Sequence, residues 1–223
     1  MEKASCYQYK VEPFSEDVRG NLSWGNLGNL ILRCASLHAG NHGFGYSEMI
    51  ASKQVWVLSR LVIEMDSLPK TNEEFSIKTW VDRVYRQFTD RHFSVLRPDG
   101  SAYGHATSIW SLINTETRQP ADLTRLPEGG FSDVLIPDEP SPIAPMGRMR
   151  MKNPQLVARH RAAYTDSMKQ RAVRRIEMAY CLESYWGDEL DIYCEPDAAN
   201  ADHVLFEIRN AQSQAVVKGS VSF

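Results

Sequence analysis

The chain has 223 residues, enough for one large domain or two smaller ones, each with a real core. With 43% hydrophobic and 24% charged residues, it has the composition of a folded soluble protein, which excludes a disordered or fibrous chain. The net charge of −3 is unevenly spread: between Pro145 and Ile176 nine Lys and Arg residues meet the single anion Asp166, and the remainder is strongly acidic. Such a segment suits an acidic partner, nucleic acid or protein, and equally fits a solvated linker. The four cysteines, Cys6, Cys34, Cys181 and Cys194, form no C-x-x-C pair and read as reduced thiols in a cytoplasmic protein. The opening MEKASCYQYKVEPF has no apolar signal region, and the most apolar run, Val55 to Met65, is interrupted by Arg60. Neither export nor a membrane span is expected.

In chain order, Tyr7 to Phe14 reads as a first, weak strand. Asn26 to His42 then places Leu27, Leu30, Ile31, Cys34 and either Leu37 or His38 on one face at helical spacing. Ser23 can cap the start of this helix, and Gly40 and Gly43 can end it. After the short piece Tyr46 to Ser52 come four strand-like runs, Gln54 to Met65, Glu74 to Val84, Asp90 to Arg97 and Tyr103 to Asn114, the last two joined by the turn Pro98-Asp99-Gly100. One helix and a set of antiparallel strands make an α+β unit.

The strands recur in the second half, at Leu156 to Tyr164, Val173 to Ser184, Glu189 to Cys194, His203 to Arg209 and Ala215 to Phe223. FSVLRPDGSAYGHATSIW and FEIRNAQSQAVVKGSVSF match in hydrophobic pattern and turn position. The organisation expected is a first unit at 1–136, a Pro-rich linker at 137–155 and a second unit at 156–223. The second unit has no counterpart of the helix: Tyr164-Thr165-Asp166 runs almost at once into the strand that starts at Val173. A sheet face that wraps a helix in one unit should not be bare in its repeat. The repeat therefore implies that a helix-sized segment belongs between Asp166 and Ser167, and omission from the sequence is favoured over a true deletion.

The stretches WVLSRLVIEMDSLP, TWVDRVYRQFTDRHFSV, GHATSIWSLINTETRQPADL and YCLESYWGDEL resemble the acyl-(acyl carrier protein) thioesterases, in the bacterial branch related to the plant plastid enzymes. The resemblance covers nearly the whole chain. It implies a tandem double hotdog, each unit a long helix wrapped by an antiparallel sheet. It also implies hydrolysis of the acyl-carrier thioester to release free fatty acid, ending fatty acid synthesis. Family members follow an aromatic residue, a small residue and an aspartate with Asp-x-Asn-x-His-Val-Asn. Tyr164-Thr165-Asp166 matches the lead-in, Ser167 departs from it, and the catalytic Asp, Asn and His have no counterpart in this sequence.

By the same resemblance Tyr180-x-x-Glu183-Ser184 matches the Tyr-x-x-Glu-Cys strand of the plant enzymes. Glu183 inherits the acidic role as general base, at the end of a strand and shielded by Tyr185 and Trp186. Ser184 stands where the plant cysteine would be, so a cysteine nucleophile is disfavoured. The acyl chain is expected beside the first helix, against Leu30, Ile31, Cys34, Trp56 and Leu58. Arg171, Arg174 and Arg175 are expected to dock the acidic carrier. The plain alternatives are that Glu183 is a solvated carboxylate, Asp166 a turn or cap residue, and Trp56, Leu58 and Val62 simply core. His38 and His42 lie at i and i+4 without the glutamates of H-E-x-x-H, and no G-x-S-x-G occurs. No metal, cofactor or nucleic acid is expected; the partner is acyl carrier protein with its acyl chain, and homodimerisation is left open. The rival readings are a non-catalytic acyl-binding protein and an acyl-coenzyme A thioesterase.

Overall fold

The computed structural model describes residues 2–125, 131, 134–147, 149–158, 171–197 and 200–223. Tyr164, Thr165, Asp166 and the junction at 166–167, together with Arg148, Arg159, Arg161 and Lys169, lie outside them. The chain forms two compact units, one of Met1–Leu58 with Met65–Ala144, the other of Ser59–Glu64 with Pro145–Phe223. The boundary at 144/145 falls inside the linker expected at 137–155, and residues 59–64 belong with the second unit. Trp80 Nε1 donates to the Glu139 carbonyl at 2.7 Å and Lys78 pairs with the Glu139 carboxylate. The Pro-rich stretch is thereby fastened to the first unit instead of acting as a free linker.

In the first unit β1 (Ser5–Lys10) is followed by α1 (Trp24–Asn41), α2 (Tyr46–Ala51), β2 (Gln54–Met65), β3 (Glu74–Val84), β4 (Thr89–Leu96) and β5 (Ala102–Asn114). Ser23 Oγ accepts the Asn26 amide and caps α1. The buried residues of α1, Leu27, Ile31, Cys34, Ala35, His38 and Ala39, form one face at helical spacing. Of the two alternatives at the end of that stripe, His38 is buried and Leu37 exposed. The strands are ordered β1-β3-β4-β5-β2, antiparallel in each pairing seen from β1 to β5. β3 and β4 are buried on both pleat faces, with Phe75, Ile77, Thr79 and Val81 alternating with Ser76, Trp80 and Asp82.

The second unit contains β6 (Gln155–Ala158), β7 (Arg175–Tyr180), β8 (Leu190–Asp197), β9 (Asn200–Asn210) and β10 (Ala215–Ser222). Its order is β6-β8-β9-β10-β7, with Ser59–Glu64 of β2 beyond β7. Element for element this repeats the order of the first unit. The repeat extends to register: Phe93 lies opposite Ala106, and its counterpart Phe206 lies opposite Gly219. Among the described residues both α-helices, α1 and α2, belong to the first unit.

β7 is shorter than expected. It stops at Tyr180, after which the amides of Cys181 and Leu182 both turn to the Val216 carbonyl. The chain then enters a tight turn. Asp188 closes it by accepting the Tyr185 amide at 2.7 Å, and Gly187 supplies a φ of 93°.

Candidate active site

The first unit holds a cavity of about 230 Å³ between α1, α2 and the sheet. Small residues of α1, Ala35, Ser36 and Ala39, leave the space open on the helix side. The turn into α2 is equally tight: a Cβ on Gly45 would lie 2.7 Å from the Gly40 Cα, so only glycine lets these backbones approach. Phe44, Met49 and Trp56 close one end together with Phe131, whose ring centroid is 4.9 Å from that of Phe44. Trp56 is fixed by a 2.8 Å bond from its Nε1 to the Phe44 carbonyl. Thr89 and Arg91 of β4 and Trp110 of β5 complete the wall. The cavity is thus an apolar slot with a few polar groups at one side, the usual character of a site for a hydrophobic ligand.

The expected acyl-contacting residues are divided by the structure. Trp56 lines the cavity. Ile31 and Cys34 are fully buried in the helix–sheet core, Leu30 on α1 and Leu58 on β2 are partly exposed, and none of the four is among the lining residues described. The sequence reading missed Phe44, Thr89, Arg91, Trp110 and Phe131. For Arg91 a signal existed, since a charged residue alternates with Thr89 and Phe93 on a face that is otherwise core.

The electrostatics around α1 follow from burial. Burial pushes the Cys34 thiol up to about 11, so it stays protonated; it lies 3.1 Å from the Tyr9 hydroxyl, whose own pKa is raised, first by burial and then by this bond. His38 is pulled down to about 4 by burial and then by the nearby Arg91. Its Nε2 donates to the Lys3 carbonyl at 3.0 Å, while Nδ1 is buried with no partner among the described residues. Arg91 itself is pulled down to about 10 by burial and remains charged.

Glu183 does not sit where the sequence placed it. It lies in the exposed loop after β7, where it accepts the Tyr185 hydroxyl at 2.6 Å. Of the two expected shields, Tyr185 makes that bond but is itself 70% exposed, and Trp186 is fully exposed, so burial of the carboxylate by these rings is not what the loop provides. Asp166 lies outside the described residues.

The three arginines expected to dock a carrier are also divided. Arg175 has a side chain only 15% exposed and joins Glu64 of β2 and Glu177 of β7, so its charge is neutralised within the unit. Glu177 in turn accepts from Ser220 Oγ and the Gly147 amide. Arg171 pairs with Asp202 and lies over the Phe223 ring. Arg174 is exposed. The triad is therefore not the uniform basic surface expected, because local carboxylates pair with Arg171 and Arg175. Among the described residues no group of His, Cys, Asp and Glu could hold a metal ion, and no helix is long and apolar enough to cross a membrane.

Residues 3–125 match the family description of the acyl-ACP thioesterase N-terminal domain. The chain is 26% identical over 152 residues to oleoyl-acyl carrier protein thioesterase 2, chloroplastic, of Arabidopsis thaliana. It is 29% identical over 104 residues to the acyl-[acyl-carrier-protein] hydrolase FATB3, chloroplastic, of Cuphea viscosissima. These alignments take in 64% and 46% of this chain and 40% and 24% of those relatives, so the chain spans less than half the length of either. A crystal structure of an acyl-ACP thioesterase from Bacteroides thetaiotaomicron superposes with a TM-score of 0.88 at 37% identity, covering 99% of this chain and 98% of that one. The 12:0-ACP thioesterase from Umbellularia californica superposes with a TM-score of 0.83 at 14% identity over 100% of this chain and 97% of that one, a likeness of fold. The two repeated units are hotdog units, and the chain belongs to the acyl-ACP thioesterase family.

Proposed function

We propose that this protein hydrolyses the thioester of acyl-(acyl carrier protein) to free fatty acid and the carrier thiol. The observation that carries the reading is the apolar cavity beside α1, which in a chain of this family is suited to hold an acyl chain. In the reaction a base takes a proton from water, and the resulting hydroxide adds to the thioester carbonyl. The oxyanion collapses with cleavage of the C–S bond, and the leaving thiolate takes up a proton. Glu183 is the proposed base, oriented by the 2.6 Å bond from Tyr185 Oη, and Asp166 is the lead-in residue of the separate Tyr164-Thr165-Asp166 motif. The carrier is proposed to dock on the segment that carries Arg171, Arg174 and Arg175, with the exposed Arg174 meeting it and Arg171 and Arg175 holding the segment in place through Asp202, Glu64 and Glu177.

Purified protein offered a carrier-bound acyl thioester and the coenzyme A thioester of the same chain tests this. The expected outcome is faster hydrolysis of the carrier thioester, and an advantage that shrinks as salt is added. Glu183→Gln should lower kcat by about 10²- to 10⁴-fold, the worth of a positioned base. Retention of more than about a tenth of kcat, a loss below roughly 1.4 kcal/mol, would return Glu183 to the role of a solvated carboxylate.

One observation favours a second reading, an acyl-binding protein without hydrolysis. Ser167 follows Asp166 directly, where the resemblance calls for Asp-x-Asn-x-His-Val-Asn. Acyl binding with no turnover on either thioester would establish that reading over the first.

A further inference from the structure

Arg91 is a charged residue that the fold does not require. Its side chain rises from β4 under α1, with the residue only 5% exposed, and it lines the cavity. Guanidinium carries five N–H donors. Among the described residues one bond is made, from Nη1 to Thr79 Oγ1 at 3.2 Å, and no carboxylate pairs with it. The groups that face it electrostatically are the Tyr7 phenol and the Cys34 thiol, with the neutral His38 above. A buried cation without an anion is costly, and a fold keeps one at expense to its own stability.

The internal repeat shows what the fold does when no such group is needed. Arg91 lies opposite Ser108 in the β4–β5 pairing. At the equivalent place in the β9–β10 pairing, Val204 lies opposite Val221. An apolar pair therefore satisfies this position of the hotdog sheet, and Val204 is buried there. The replacement of Val–Val by Arg–Ser is confined to the unit that encloses the cavity.

We propose that Arg91 makes the cavity selective for acyl chains that carry a hydrogen-bond-accepting oxygen, a hydroxyl, oxo or carboxyl group, on the segment lying beside α1. This rests on the reading that the cavity holds the acyl chain. The Thr79 bond fixes one arm of the guanidinium, and the remaining donors meet the ligand oxygen inside a slot otherwise lined by Ala35, Ala39, Phe44 and Trp56. A plain hydrocarbon in the same place would strip water from the cation and return nothing, which is how a polar group in an apolar pocket discriminates.

The test uses the full chain and two readouts. Binding of free fatty acids of one chain length is measured by titration calorimetry with three sets: plain, hydroxylated at successive positions along the chain, and carboxylated at the far end. At least one oxygenated acid should bind about tenfold or more tightly than the plain acid. Hydroxyl and carboxyl arms distinguish a neutral from an anionic acceptor. Arg91→Met should bring the ratio to within about twofold while plain-chain affinity rises. Plain acid binding as tightly as every oxygenated one, or no acid binding at all, overturns the proposal. If the Met variant fails to fold, the wild-type ratio alone decides. Hydrolysis of the matching carrier thioesters is the second readout. Turnover without discrimination defeats the role of Arg91 and leaves the thioesterase reading standing. Arg91-dependent binding without turnover does the reverse.

Discussion

The two hotdog units share strand order and register yet are held together by different means. At the repeated phenylalanine the contrast is direct. Phe93 of the first unit is completely buried beneath α1, whereas Phe206, packed over Gly219 in the second, remains partly exposed. The interior of the first unit is built mainly from Leu27, Ile31, Phe75, Ile77, Phe93 and Val95, with Arg91, His38 and the Asp82–His92 pair as its buried polar members. In the second, Glu64, Arg175 and Glu177 form one ionic cluster, and Glu207, Arg209 and Lys218 form another. A single sheet topology is thus compatible with a closed core dominated by apolar side chains and with a more open sheet on which carboxylates and cations pair.

The largest effect should come from breaking the contrast at the phenylalanines. Phe93→Ala should cost about 3 to 5 kcal/mol, the usual toll of an aromatic removed from a closed core. Phe206→Ala should cost less than half as much, because water already reaches that site. Denaturant titration of both variants measures the difference, and equal losses would dissolve the distinction between the units.

Next in size is the ionic cluster. Arg175→Met leaves the carboxylate of Glu177 buried without its cation, and Glu64 loses the same partner. A loss of about 2 to 4 kcal/mol is expected. Added salt should leave the buried Arg175–Glu177 arm largely intact and weaken mainly the arm to Glu64, whose side chain is 43% exposed. A neutral substitution would mean that the second unit also rests mainly on apolar contacts.

Acid should find out the first unit through His38. Its pKa is about 4 in the folded chain and near 6.5 when unfolded, so the unfolded state binds the proton first as pH falls. The native state is then penalised progressively from pH 6.5 down to about 4, by roughly 3 kcal/mol in all, and unaffected above that window. Protonation would place a second cation beside Arg91 and His42. In His38→Leu the slope of stability against pH through this window should flatten, and a slope unchanged from wild type would assign the acid sensitivity to another group. Smallest is the cap of α1: Ser23→Ala should cost about 1 kcal/mol, a loss felt in the first unit.

Much of the architecture was readable in the residues. β2 and β3 have the bounds that alternation of β-branched and aromatic residues suggests, and the α1 stripe follows from its spacing. The turn at Pro98-Asp99-Gly100 is where it was expected, with Gly100 at a φ of 86°. What escaped were features set by distant partners. The end of β7 depends on where Cys181 and Leu182 find carbonyls on β10, so the strand residues alone ran it too far toward Glu183. Arg175 looked like a surface cation because its counter-ion Glu64 is 111 residues away in sequence. Arg91 was passed over for a related reason: pattern marks it as inward-facing, but only the opening left by Ala35 and Ala39 makes that inward position a cavity wall.

The pairing of β2 with β7 has a consequence for biosynthesis. Ser59–Glu64 is made early, yet its place is in the second unit, alongside a strand that leaves the ribosome more than a hundred residues later. Synthesis of the first unit alone therefore leaves the pairing groups of residues 59–64 waiting, an open edge of the type that recruits foreign strands. Expression of residues 145–223 by themselves would strand the complementary edge of β7. The protein should tolerate neither dissection nor circular rearrangement at the boundary between its repeats, even though each repeat looks like a module on paper.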